Sequence, residues 1–226
     1  MTLELAIRCC EILLGFALAQ QSLEHLAMPL TDRLLFGARL LLALMMVAGI
    51  GAAAAEALLL LTSAIILKRC DGPYNGGSDR LAVLMLFCLL LANILPQQRW
   101  RELALGYLAA QLLLSYAMAG WVKIVNPDWR NGRALNDVFA FSAYPVSERL
   151  RALAQRPRLL FYASWGVMLF ELVFPLSLFD VRALYVVLAI AALFHIANAL
   201  LFGLNRFVWV WIAAYPSLLW LQGRVM

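Results

Sequence analysis

Three side chains able to do chemistry lie in stretches otherwise too apolar to tolerate them. They are Lys123 in AGWVKIVNPDWRNG, Glu171 in FELVFPLSL and His195 in LFHIANALLFGLN. An amine that has given up its charge is a proton acceptor, and carboxyl and imidazole groups pass protons in either direction. A charge placed in hydrocarbon costs several kcal/mol unless it is neutralised or paired, so ionisable residues at such depth mark sites by default. A Glu171–His195 hydrogen bond would remove most of that cost. A purely structural polar clasp between helices answers to the same residues.

The surrounding residues say how such groups would be held. Tyr116 and Lys123 are seven residues apart and share a helix face, with Gly120 between them, while Gln111 and Ser115 form a polar i, i+4 pair. Asn126 fits a helix N-cap with Pro127 at the first helical position, and Gly132 can end that short turn. Asp128, Trp129 and Gly132 would then position the loop after the lysine. Trp121 and Trp129 also suit an interfacial aromatic belt, with Lys123 reaching for the headgroups as an anchor. Asn198 follows His195 by three residues on the same face, and Pro175 interrupts the backbone ladder one turn after Glu171. In KRCDGPYNGGSDRL, residues 68–81, Asn75, Gly76 and Gly77 are strong turn formers. Ser78 or Asp79 can cap a helix beginning near Leu81. That turn reads as a tight connection, or as a nest of N–H groups for an anion.

The elements carrying these residues are membrane helices. Of 226 residues, 65% are hydrophobic and 14% charged, against roughly 45–50% and about 25% in soluble domains. Apolar runs read as spans at 5–25, 34–48, 53–68, 81–96, 102–122, 159–178, 182–202 and 206–222. The fold class is therefore an all-α, polytopic membrane bundle of about seven to eight spans, in one domain over 1–226 with a structured loop at about 123–158. The first span carries Glu4, Arg8, Glu11 and Glu24, and so lies in the interface or packs inside the bundle. As one helix, 34–67 would be ~51 Å long against a core of about 30 Å. Gly49 and Gly51 supply the break, placing Glu56 in the first turn of the next helix, where the dipole favours a carboxylate.

The net charge of +5 does not make this a nucleic-acid binder, because the basic residues sit at the ends of apolar runs. With eight spans, thirteen of them fall on the side of the 123–158 loop and five on the other, which points that loop to the cytoplasm. Glu4 and Glu11 interrupt the pattern of a signal peptide. Cys9, Cys10, Cys70 and Cys88 show neither metal-site spacing nor a disulfide framework, although vicinal Cys9 and Cys10 are a conceivable redox pair.

Taken in order, YNGGSDRLAVLMLFCLLL, YAMAGWVKIVNPDWRNGRAL, LLFYASWGVMLFELVFPLSL and LFHIANALLFGLNRFVWVWIAAYP resemble the horizontally transferred transmembrane (HTTM) family over about residues 5–222. That family is related to the membrane part of vitamin K-dependent γ-carboxylase. The resemblance implies a lysine base at Lys123 that deprotonates a quinone-type hydroquinone, with Glu171 and His195 lining or bracing the cavity. It also implies an extracytoplasmic working face, opposite to the charge count. The carboxylase's large luminal domain has no counterpart before Met226, so carboxylation of Gla domains is not expected. Short bacterial members help mature a secreted peptide toxin. By that likeness the chain is a multi-pass inner (plasma) membrane protein that helps modify, mature or export a peptide precursor, or acts on a lipid-soluble quinol. Two other classes fit: a non-catalytic subunit docking another membrane protein, and a quinone-linked redox protein like the small DoxX type. A transporter fits less well, since no inverted repeat is visible.

Overall fold

A computed structural model describes residues 1–27, 29–69, 77–141 and 147–226, and these are helices joined by short turns, with no strand among them. The helices are α1 (Leu3–Glu24), α2 (Leu30–Ala48), α3 (Ala52–Arg69), α4 (Gly77–Ile94), α5 (Gln98–Val125), α6 (Pro127–Arg130), α7 (Arg133–Phe141), α8 (Glu148–Arg151), α9 (Pro157–Val173), α10 (Val181–Phe202) and α11 (Asn205–Val225). Each apolar run read from the sequence overlaps a long helix, the run 159–178 covering α9 and the 3₁₀ stretch after it. Among the described residues four segments are long and apolar enough to cross a membrane: Gly77–Ile94, Gln98–Val125, Pro157–Phe179 and Val181–Phe202. Helices α1, α2 and α3 have the length but carry more charge, including Arg8, Glu11, Arg39 and Glu56.

Local chemistry sets most boundaries. Gly49 and Gly51 take φ of 76° and 57°, the left-handed region that costs glycine nothing, and α2 stops there as expected. Asp180 caps α10 by accepting from Ala183 N at 2.8 Å. Pro175 has no N–H to give, and α9 yields at Phe174 to a tighter 3₁₀ stretch, Phe174–Phe179. One boundary departs from expectation. Helix α4 starts at Gly77, so Ser78 and Asp79 lie within its first turn rather than capping it. Asn75 and Gly76 lie outside the described residues.

The chain forms two compact units, residues 1–110 with 206–226, and residues 111–205. In the first, α1 packs on α2, α2 on α3, α3 on α4 and α4 back on α1, which closes a four-helix ring. Leu14, Met46, Leu59, Met85, Leu86 and Leu89 fill it and are fully buried. A Cβ at Gly15 would lie 2.7 Å from Val47 Cγ2, so α1 and α2 need that glycine to approach so closely.

The ring also buries acids. Glu11 points inward rather than into an interface, and Arg8 holds it at 2.6 Å while donating to the last carbonyls of α2, Met46 O at 2.7 Å and Val47 O. Glu56 is the fifth residue of α3, fully buried, and owes its stability to a side chain rather than to the helix dipole. Asn93 donates to Glu11 Oε1 at 2.8 Å and to both oxygens of Glu56 at 3.0 Å.

In the second unit, the stretch after α5 has a structure of its own. Helix α7 packs on α9 and on the 3₁₀ turn Ala152–Gln155, and α6 packs on α9. Asn136 donates to Ala154 O, and Arg151 to Ala140 O at 2.9 Å.

Replacing Asn93 by Ala leaves Glu11 and Glu56 without their shared donor. The variant is expected to lose about 1–3 kcal/mol of stability, measured by detergent-induced unfolding of the purified protein.

Candidate functional site

Helix α5 carries Tyr116, Gly120 and Lys123 at i, i+4 and i+7, one face as expected. Gly120 decides what that face can touch. A Cβ there would lie 2.6 Å from Leu172 N and 3.0 Å from Met168 O, so the backbones of α5 and α9 meet at this point. Two turns of α9 are thereby brought against the last two turns of α5.

The close approach seats the lysine. Lys123 Nζ donates to Glu171 Oε1 at 2.7 Å and Oε2 at 2.6 Å, engaging both carboxylate oxygens. The Glu171 side chain is 5% exposed and that of Lys123 19%. The ring of Trp129 lies over the ammonium, 5.3 Å from centroid to Nζ, within cation–π range. The amine therefore turns toward an acid on the neighbouring helix.

Further along the same face, Tyr116 Oη lies 2.9 Å from His195 Nε2. Tyr116 stacks on Phe174 with centroids 3.8 Å apart and planes at 11°, and Phe170 and Phe194 complete an aromatic wall. Tyr116, Phe174 and His195 are all buried. A Glu171–His195 hydrogen bond is one way the sequence allows these groups to be satisfied, and other partners are the ones seen. The structure gives each a different partner, Lys123 for the acid and Tyr116 for the imidazole, because α5 contributes both polar side chains. Asn198 is half-buried on α10 and continues the helix beyond the histidine.

The loop over Lys123 is fixed by α9. Asn126 caps α6 by accepting from Asp128 N at 2.9 Å, with Pro127 at the first helical position. The carbonyls that end α6 accept from α9 side chains: Trp129 O from Ser164 Oγ at 2.6 Å and Arg130 O from Trp165 Nε1 at 3.0 Å. Gly132 has φ of 81°, and a Cβ there would lie 2.9 Å from Phe161 Cα, so both conformation and space demand glycine. Asp128 pairs with Arg133 at 2.9 Å. Ser164, Trp165 and Phe174 escape a reading of the sequence. Their only signal is a polar or aromatic residue on a helix face that hydropathy assigns to lipid. Gly77 begins α4 in the first unit, where an added Cβ would lie 3.4 Å from the Phe207 ring.

Among the described residues no group of acids, histidines and cysteines could hold a metal ion. What the arrangement offers is proton chemistry: an amine and a carboxylate in direct contact, and a phenol touching an imidazole, in apolar walls.

Changing Gly120 to Ala is expected to force α5 from α9 and destabilise the protein by about 1–3 kcal/mol. Gly166 also lies on α9, but a Cβ added there would meet no atom within 4 Å. Gly166→Ala should be neutral or stabilising by up to about 1 kcal/mol, so thermal unfolding of the two variants separates close approach from helix propensity.

No curated protein and no solved structure matches the chain. A family model, the HTTM domain, matches residues 91–221, from the end of α4 into α11. The matched stretch is shorter than the 5–222 over which the motifs suggest likeness, but it contains Tyr116, Lys123, Trp129, Glu171 and His195. It spans more than half of the sequence, and the chain belongs to the HTTM domain family.

Proposed function

We propose that this HTTM protein is a multi-pass protein of the inner (plasma) membrane, with seven to eight spans in one HTTM-like transmembrane domain. In this reading it modifies, or helps to mature or export, a peptide precursor by chemistry on a lipid-soluble hydroxyl compound such as a quinol. The observation that carries the reading is the Lys123–Glu171 contact at 2.6–2.7 Å under Trp129. In low dielectric, moving the ammonium proton onto Glu171 turns an ion pair into a neutral amine beside a neutral acid. The amine then takes the proton of the substrate hydroxyl. The O–H bond breaks, its electron pair stays on oxygen as an anion, and the re-formed ammonium lies next to that anion. Trp129 and the Tyr116–Phe174 stack supply flat apolar surface for a ring.

A second reading has its own support in the same contact. Both carboxylate oxygens are taken by the amine, which is also how a structural clasp in a non-catalytic docking subunit would look.

Lys123→Arg separates the two. Arginine can keep a bidentate pair with Glu171 but does not give up its proton. The expected outcome is loss of complementation in a deletion strain, with the variant present in the membrane fraction at the wild-type level. Lys123→Met should lose activity as well, by about 10²–10⁴-fold where a rate is measured. Full complementation by the arginine variant would make the pair a clasp and the chain a docking subunit.

A further inference from the structure

The first unit holds a guanidinium that no acid contacts among the described residues. Arg39, in the middle of α2, is 2% exposed. Its Nη1 donates to Leu59 O at 3.3 Å, Thr62 Oγ1 at 2.7 Å and Ser63 Oγ at 3.0 Å, all on α3 and all neutral. No carboxylate lies within ion-pair distance of it among the described residues, and its buried Nε finds no acceptor. Thr62 donates its own proton to Leu59 O at 3.0 Å. Ser63, 7% exposed, accepts from Arg39 and has no acceptor of its own among the described residues. Two buried donors, the Arg39 Nε–H and the Ser63 O–H, thus lack an acceptor beside a guanidinium that no carboxylate contacts.

They meet at a cleft. Arg39 and Ser63 line a narrow opening together with Leu18, Gln21, Asp79 and Ala82, to which all four helices of the ring contribute. The cleft has room for a single small occupant. Asp79 is its one acid, and Gln21 Nε2 lies 3.4 Å from Asp79 Oδ1. The same carboxylate also lines an adjoining cleft with Arg206 and Glu24, which pair at 3.9 Å. Asp79 therefore faces two guanidinium groups and touches neither within ion-pair distance. A water molecule would satisfy donors but would leave the charge, and a buried unpaired charge costs several kcal/mol.

The geometry points to this cleft as a binding site for a small monovalent anion of halide size, held by the Arg39 guanidinium and the Ser63 hydroxyl. Arginine cannot shed its charge at any working pH, so occupancy is set by anion concentration. Asp79, across the cleft, opposes the anion and limits its affinity. The rival is that Asp79 alone balances Arg39 through water. The two accounts make opposite statements about Asp79→Asn.

The test is thermal unfolding of the purified full-length protein as chloride replaces gluconate at constant ionic strength, with bromide as a second halide. The wild type should gain a saturable rise in melting temperature with chloride and with bromide. Arg39→Met should lose it, and Ser63→Ala should need several-fold more chloride for half the effect. Asp79→Asn should need several-fold less. Line broadening of the chloride NMR signal by wild type, abolished in Arg39→Met, reads binding without reference to stability. It serves also if that variant unfolds too early for a melt, with Ser63→Ala and Asp79→Asn then carrying the comparison. A flat wild-type response, a response kept by Arg39→Met, or one lost in Asp79→Asn overturns the assignment.

Discussion

An ammonium and a carboxylate in direct contact between two apolar helices constrain everything around them in the second unit. Separately, either charge would cost several kcal/mol in this setting, and breaking such a pair by removing one partner typically costs about 3–5 kcal/mol. Together, at 2.6–2.7 Å with both oxygens engaged, they form a neutral assembly. The pair exists only because α5 and α9 approach to backbone contact, and that approach exists only because residue 120 has no side chain. A hydrogen atom in place of a methyl group is thus the condition for placing a titratable amine here at all.

The loop that follows depends on the same kind of close contact. A helix of four residues cannot satisfy its own terminal groups. In α6 the N-terminal end is satisfied by Asn126, and the C-terminal carbonyls of Trp129 and Arg130 are satisfied by Ser164 and Trp165. Those two donors stand on α9, the helix that presents Glu171. Gly132 lies against the α9 backbone at Phe161. One helix therefore holds the acid, the turn that carries Trp129 above the amine, and, through Phe174 just beyond its end, the stacking partner of Tyr116. Moving α9 would shift the acid, the turn that carries Trp129 and the stacking partner of Tyr116 together against the amine and phenol on α5, so the contact between these two helices sets the geometry of the seam.

Much of this is legible in the chain. Hydropathy gives the long helices, since an apolar run has few alternatives to a helix when backbone groups must be satisfied locally. Gly49, Gly51, Asn126, Pro127 and Gly132 act through their own φ and hydrogen-bonding properties, which do not depend on distant neighbours, and they punctuate the chain where read. Pairings across helices are not legible. Glu171 and His195 both stand out and so suggest each other as partners, yet Lys123 and Tyr116, both on α5, take them. Periodicity gives the face of a helix but not its neighbour. In sequence Arg39 counts only toward membrane sidedness, though it is buried between helices, and Asn93 draws no notice because a lone amide near a helix end has no pattern. Glu56 reads as a helix-dipole carboxylate for want of a visible partner 37 residues on.

The two units solve the problem of buried charge in different ways, and the difference bears on function. In the first, Glu11 and Glu56 are tied by Asn93 and Arg8, side chains whose hydrogen bonds are already committed to them and to the end of α2. Such a network fixes a fold and has little left to offer a ligand. In the second, Lys123 and Glu171 have each other as their ionic partners, with the Trp129 ring over the ammonium. The proposed proton transfer needs only this one pair, whereas the first unit's acids are held by a network that would have to be dismantled. The seam also lies entirely within the stretch that marks the family, whereas Arg8, Glu11 and Glu56 lie outside it. Pairing with one acid on a neighbouring helix, rather than burial as such, is what distinguishes Lys123 from Glu56 and Arg39 inside this protein.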